Sequence, residues 1–349
     1  MPYSEPMASW MRTEAEEAPK VIERLLRENE GEVRSLARFL RKRPPALTLT
    51  VARGSSDHAA LFAKYLLEAR LEWPVLSLAP SVLTLYRARP RVPFPSLLLA
   101  FSQSGESPDL LKVVSAYRSQ GALTVALVNR EESPLARMAE VALPLHAGEE
   151  KAVAATKSFL AMLAATLHLL AQLVEESRLR QVLPALPEAL HRALEASGEL
   201  DYLEDAENLF VLGRGFTYPV ALEAALKLKE VAGLHAEGFS AAEFLHGPQA
   251  LLEAGFPVLA LVQKDEALEA LLSTLEGLKA KGAHLLVLSP EPDALALADS
   301  PLALPVASVP EITPLFLAQA FYPKAEALSR ARGLDPDRPR HLTKVTRTR

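Results

Sequence analysis

Cysteine is absent from all 349 residues. That excludes a disulfide scaffold, a thiolate-ligated metal site and a cysteine nucleophile within this sequence. Long apolar runs are missing as well: no window reaches the roughly 18 uninterrupted apolar residues that a membrane span needs. The opening stretch MPYSEPMASWMRTEAEEAPK is polar and acidic, without the basic-then-apolar order of a secretory signal. Nor is there a surplus of positive charge. The formal net charge is −5, which disfavours general nucleic-acid binding. The exception is a basic tail (Arg338, Arg340, His341, Lys344, Arg347 and Arg349), whose plain reading is solvated charge. A cytoplasmic protein with neither a membrane nor a nucleic-acid partner is expected.

What is present is globular: 49% of residues are hydrophobic and 23% charged, in a chain long enough for two domains. The sequence also repeats itself. An apolar run at residues 46–52 leads into Gly54, and another at 209–212 leads into Gly215, 161 positions later. The same spacing of 161 separates LLLAF (97–101) from VLALV (258–262), Gly121-Ala122 from Gly282-Ala283, and Ala142-Leu143-Pro144 from Ala303-Leu304-Pro305. Four landmarks on one spacing indicate duplication of a single unit. Amphipathic stretches at 57–70 and 108–120 lie between the runs, with Leu110, Leu111, Val114 and Tyr117 on one helical face. Continuous apolar strands alternating with helices imply an α/β fold: two tandem doubly wound units, each a parallel sheet covered on both faces. Longer helical stretches are expected at 18–43 and 158–183. The expected layout is a helical lead-in (1–43), a first unit (44–187), a second unit (188–333) and a tail (334–349). Ligands in such sheets lie at the carboxyl ends of the strands, so the loops there carry the function.

Those loops differ between the halves. The run LLLAF is followed by Ser102-Gln103-Ser104-Gly105-Glu106-Ser107 and then Pro108, with Ser107 placed as an N-cap and Pro108 at the first helical position. The earlier turn adds Gly54-Ser55-Ser56. Hydroxyls and backbone N–H groups converging on a helix N-terminus suit a phosphate, although small hydroxylic residues are also what ordinary turns use. No P-loop pattern is present, and the serine loop itself holds no Lys or Arg. At a spacing of 161 its counterpart is residues 263–268, which lack serine and glycine and carry carboxylates. Half one is therefore expected to hold the anion. In half two, Glu223, Lys227 and Glu230 share one face of a largely apolar helix. Two readings stay open here: an ordinary Glu–Lys pair, or a carboxylate base tuned by its ammonium neighbour. His246, before Gly247-Pro248, falls in a turn. His235 and Glu237 lack a third ligand, so neither a metal nor a cofactor is expected.

The segments ARGSSDHAA, SQSGESPDLL, AVAATKSF, LGRGFTYPVALEAALKLKEVAGLHAEGFSAAEFLHGP and DRPRHLTKVT together resemble the sugar isomerase (SIS) superfamily. More narrowly, they resemble the isomerase region of glucosamine–fructose-6-phosphate aminotransferases, over nearly the whole chain from Met11 to Lys344. The resemblance implies that 44–187 and 188–333 are SIS domains. It implies a hexose phosphate as ligand, held by Ser55, Ser56, Ser102, Gln103, Ser104 and Ser107, with Val153 and Ala155 along the sugar. It further implies Glu230 as the base between C1 and C2, assisted by Lys227 and Glu223. His246 would open the ring, reaching over from the neighbouring subunit of a homodimer with a shared active site, and Lys344 would form a Schiff base with the open-chain ketose. The sequence departs from the family in having Ala155 where VASTK has serine, and in lacking the glutaminase segment with its cysteine. The expectation is an isomerising deaminase of an amino-sugar phosphate. The alternatives are an aldose–ketose isomerase, a fructosamine-phosphate deglycase and a phosphosugar sensor without turnover.

Overall fold

The computed structural model describes residues 8–174 and 178–344; Arg347 and Arg349 of the basic tail lie outside the described residues. The first sheet contains β1 (Leu47–Val51), β2 (Val75–Ser77), β3 (Ser96–Ser102), β4 (Leu123–Val128) and β5 (Val141–Pro144). The second contains β6 (Asn208–Gly213), β7 (His235–Ser240), β8 (Pro257–Leu261), β9 (His284–Ser289) and β10 (Ser300–Ala303). Their orders are β2-β1-β3-β4-β5 and β10-β9-β8-β6-β7, the same order in each half, and every pairing is parallel. Two tandem α/β units of flavodoxin-like order are thus established, each with its switch point beside its first strand.

The apolar side chains sort into three layers of packing. One outer core covers the first sheet (Leu49, Leu98, Ala126) and another covers the second (Phe210, Val258, Leu285). Between the sheets lies a single large core drawn from both halves, including Leu97, Val125, Leu259 and Leu286. Helices Trp10–Glu28, Lys157–Leu173, Tyr218–Ala232 and Thr313–Ala331 are its largest helical contributors. Helix Lys157–Leu173 is apolar nearly all round because it is enclosed, with Gln172 alone among its residues not buried. Ser9 caps the first helix by accepting from the Arg12 N–H, and Asp337 from the tail accepts the N–H groups of Trp10 and Met11. Head and tail of the described chain are therefore tied together.

Three expectations need correction. The lead-in is two helices, Trp10–Glu28 and Glu30–Lys42, meeting at Asn29, whose backbone N–H still bonds the Leu25 carbonyl while its side-chain Nδ2 donates to the Pro144 carbonyl. The helix expected at 158–183 stops at Leu173, and shorter turns follow from Arg178. The spacing of 161 holds for β1/β6, β2/β7 and β4/β9, but not throughout. Leu49 and its counterpart Phe210 pair with Leu98 and Val258, so β3 and β8 correspond at 160. Val125 and Leu286 pair with Val141 and Ser300, so β5 and β10 correspond at 159. The buried faces agree with the shorter spacing: Leu97, Leu99 and Phe101 face the central core, as do Leu259 and Leu261. Among the described residues no helix is long and apolar enough to cross a membrane.

Candidate functional site

The carboxyl ends of β1 and β3 deliver two loops to one place. After β1, Gly54 takes φ +58° and the helix Ser55–Leu71 starts at once. Ser56 Oγ donates to the Arg53 carbonyl (2.7 Å) and accepts the Arg53 N–H (3.1 Å), which fixes the turn. After β3, buried Ser102 accepts the Gly105 N–H at 2.9 Å. Gly105 has φ +65°, and a Cβ there would come within 2.2 Å of Ser133 Oγ, so only glycine fits. Ser107 occupies the N-cap position of Pro108–Arg118, yet its hydroxyl makes no capping bond. That hydroxyl remains available to an anion at the positive end of the helix, where Asp109 Oδ1 accepts the Leu110 N–H at 2.9 Å.

These loops, a strap from Glu150 to Thr156, the helix Tyr218–Ala232 and the tail enclose a cavity of about 390 Å³. Ser55, Ser56, Ser102, Gln103, Ser104, Ser107, Val153, Ala155, Lys227, Glu230 and Lys344 all line it. Glu223 does not. It lies behind Lys227, buried to 1% exposure, with its Oε1 3.5 Å from Lys227 Nζ. Nor does His246, which stands in an exposed turn after Ala241–Phe244, away from its own chain's cavity.

Lys227 is the pivot of the polar cluster. It is 1% exposed and makes a short contact with Glu230, so the Glu–Lys pair is not the ordinary surface one. Burial pulls its ammonium pKa down, but the carboxylates of Glu223 and Glu230 outweigh that and hold it above the usual lysine value. Glu230, 19% exposed, reaches the cavity on one side and Lys227 on the other. Across the cavity Lys344 Nζ donates to the Ala152 carbonyl at 2.6 Å and to Glu150 Oε2 at 3.1 Å. Glu150 also accepts from the Thr156 N–H, the Ser158 N–H and the Ser158 hydroxyl. Burial pushes its carboxyl up, yet Lys344 first and those hydrogen bonds second bring it below the usual glutamate range. Tyr322, fully buried, is kept neutral by burial and by the neighbouring carboxylates, Glu223 foremost.

Several residues here escape sequence reasoning. Arg53 lines the cavity and supplies the cation that the serine loop lacks. Glu150 anchors Lys344, 194 positions away. His58 Nδ1 meets Glu223 Oε2 at 2.8 Å across the two halves. Glu14, on the first helix, accepts the N–H groups of Lys151 and Ala152 and so fixes the strap. No periodicity or local motif marks these contacts, because each joins segments remote in sequence.

The arrangement offers a hydroxyl- and amide-lined anion cradle, a carboxylate able to take a proton, and a primary amine, all facing one cavity. The SIS domain family matches residues 48–172 and again 202–323. A glutamine–fructose-6-phosphate aminotransferase (isomerizing) from Pyrococcus horikoshii is 34% identical over 345 residues, covering 96% of this chain and 57% of that one. The chain thus spans little more than half the length of that relative. A solved Silicibacter pomeroyi protein assigned as a phosphosugar isomerase is 39% identical, with a TM-score of 0.86 over 95% of this chain and 100% of its own. A glucosamine-6-phosphate deaminase structure from Thermotoga maritima superposes with a TM-score of 0.74 over 97% of this chain and 100% of that one; at 22% identity this is a likeness of fold alone. With both halves matched and the cavity formed where the family's motifs converge, the chain belongs to the SIS-domain family and carries two such domains in tandem.

Proposed function

We propose that the cavity binds a hexose 6-phosphate and that the chain moves a proton between the sugar's C1 and C2, releasing ammonia when C2 bears an amine. The observation that carries this reading is the meeting of the serine loop, Glu230 and Lys344 in one cavity. The phosphate sits on residues 102–107 and the N-terminus of Pro108–Arg118, where amides and hydroxyls converge. Glu230 removes a proton from one carbon and returns it to the other through an enediol or enolamine, a task for a carboxylate that reaches both ligand and Lys227. Lys227, held charged, contacts Glu230 and positions its carboxylate at the cavity. On an amino sugar the proton transfer leaves an imine at C2; Lys344 attacks this carbon, ammonia leaves as the lysine Schiff base forms, and water hydrolyses the Schiff base to release the ketose and restore the amine. Glucosamine 6-phosphate and water then give fructose 6-phosphate and ammonia. His246, exposed outside its own cavity, is offered to a second copy, where it opens the sugar ring; a homodimer with shared sites follows from that role.

A second reading, plain aldose–ketose isomerisation, draws on the Silicibacter pomeroyi relative and needs no amine on the substrate. Incubation with glucosamine 6-phosphate and with glucose 6-phosphate, following ammonia and fructose 6-phosphate together, separates them. Ammonia from the first substrate supports the deaminase. Ketose from the second without ammonia from the first supports the isomerase. Glu230→Gln is expected to slow either reaction about 10²–10⁴-fold while leaving sugar phosphate binding intact. Binding without turnover of any hexose phosphate would sink both in favour of a sensor.

A further inference from the structure

Arg53 is 46% exposed along its side chain, yet it is firmly held. Its Nε and Nη2 donate to Asp109 Oδ2 at 2.9 and 2.7 Å. Asp109, 2% exposed, sits in the first turn of Pro108–Arg118, the helix that closes the serine loop. Arg53 therefore ties the loop after β1 to the helix after β3, along the wall of the cavity it lines. A guanidinium has five N–H donors in one plane, and the contact with Asp109 uses two. The remaining edge is free to meet a ligand, with its plane fixed by a buried carboxylate. Glu106, the carboxylate within the serine loop, is drawn off by Arg130 at 2.5 Å. Half two makes a useful comparison. Arg214 repeats the backbone turn of Arg53, but there the Asp265 carboxylate itself bonds the Ala267 N–H at 2.8 Å, in the corresponding loop. Each half thus has a carboxylate at the helix start, Asp265 in the loop of half two and Asp109 in the first turn of half one, where its Oδ1 accepts the Leu110 N–H at 2.9 Å; in half one it also holds an arginine that lines the cavity.

We infer that Arg53 is the cationic ligand of the bound phosphate, holding Asp109 with one edge of its guanidinium and a phosphate monoester dianion with the other. This rests on the phosphosugar reading of the cavity. Charge-assisted, two-point contact from a fixed guanidinium favours the dianion over the monoanion, so affinity is expected to fall as pH drops through the phosphate's second ionisation near about 6.

The test is calorimetric titration of the full chain with inorganic phosphate and with fructose 6-phosphate, on the wild type, Arg53→Gln, Arg53→Lys and Asp109→Asn. Arg53→Gln is expected to weaken both ligands about tenfold and to flatten the pH dependence, with Arg53→Lys intermediate. Asp109→Asn keeps an amide oxygen to accept from the guanidinium and leaves the arginine in place, so it is expected to weaken binding less than about threefold, well short of Arg53→Gln. If Arg53→Gln and Asp109→Asn weaken binding alike, Arg53 is a clamp between loops and the inference is overturned. Wild-type affinity in Arg53→Gln overturns it too. A wild-type chain that takes up neither ligand fails at the earlier step: the phosphosugar reading falls, and this inference with it.

Discussion

After β1 the Arg53 N–H meets Ser56 Oγ, and after β6 the Arg214 N–H meets Thr217 Oγ1, with each hydroxyl donating back to the arginine carbonyl. The following helices bury equivalent positions as well: Phe62 and Leu66 in half one stand where half two has Glu223 and Lys227. The backbone has been kept while the chemistry has been divided. Half one has a helix whose buried face is apolar, and a loop of Gly105 and serines that lines the cavity. Half two has a charged helix and a loop closed by its own Asp265, which also accepts from the Gln263 amide at 2.6 Å. A duplicated unit that kept both features twice would bury two charged clusters in one shared core. Here the central core carries one.

Copying half one into half two at the pivot is expected to have the largest effect. Lys227→Leu leaves the Glu223 and Glu230 carboxylates without their cation, in a region almost sealed from solvent. Breaking a buried pair by removing one partner costs about 3–5 kcal/mol, and that loss is expected in urea-unfolding free energy. A loss below about 1 kcal/mol would mean that the cluster rearranges and that the division of labour is not enforced by burial. Next comes Ser104→Asp, which brings into half one's cradle the kind of charge that closes half two's loop. Hexose phosphate affinity is expected to drop more than about 100-fold, or about 3 kcal/mol, by calorimetry, with the melting temperature little changed. Retained affinity would show that the anion sits elsewhere. A smaller contrast lies one residue on. Gly105→Ala meets both the positive φ and Ser133, at about 1–3 kcal/mol of strain, whereas Asp265→Ala, at the matching place in half two, loses the bonds from the Ala267 N–H and the Gln263 amide, a net cost of about 1 kcal/mol at this part-exposed loop. Equal losses in thermal or urea unfolding would refute the claim that the two loops are closed by different means.

The strand-helix alternation and the serine loop were legible because they are local: apolar runs, Gly turns and an Ser-Pro helix start are written in adjacent residues. The one-residue slip at β3/β8 was not. Strands buried on both faces read as continuous apolar runs, so no alternation reports which side chain faces which core. The loop comparison drawn at 161 was accordingly one residue out; at 160, Gln103 matches Gln263 and Glu106 matches Glu266. The face shared by Glu223, Lys227 and Glu230 was legible from helical spacing, and the apolar residues between them pointed to a buried helix; the meeting of Glu223 with His58 of the other half was not legible. Arg53, Glu150, His58 and Glu14 gave no signal because their partners are far along the chain. Ser107 shows the converse limit: the N-cap position was legible, but not that its hydroxyl makes no capping bond.

The smallest expected effect is a pH dependence carried by two carboxyls, Glu14 of the helical lead-in and Asp265 in the loop of half two. Burial, partly offset by the Lys151 N–H, pushes Glu14 from 4.5 to about 7, and burial likewise raises Asp265 against the pull of the Ala267 N–H and Gln263. A raised carboxyl pKa means that the folded chain binds the proton more tightly than the unfolded one. Its stabilising contribution is therefore fully present below about pH 4.5 and is lost as pH rises through about 7 for Glu14. Glu14→Gln removes the titration, so the variant's melting temperature should fall less than the wild type's between these limits, as followed by circular dichroism. Burial raises Asp265 as well, so Asp265→Asn should flatten the profile in the same direction. Glu14 also holds the strap whose Ala152 carbonyl receives Lys344, so its substitution should disturb sugar phosphate turnover, while Asp265→Asn should not. A difference between wild type and Glu14→Gln that stays constant across that pH range would remove Glu14 from the list of titrating groups, and the strap would then be held by geometry alone.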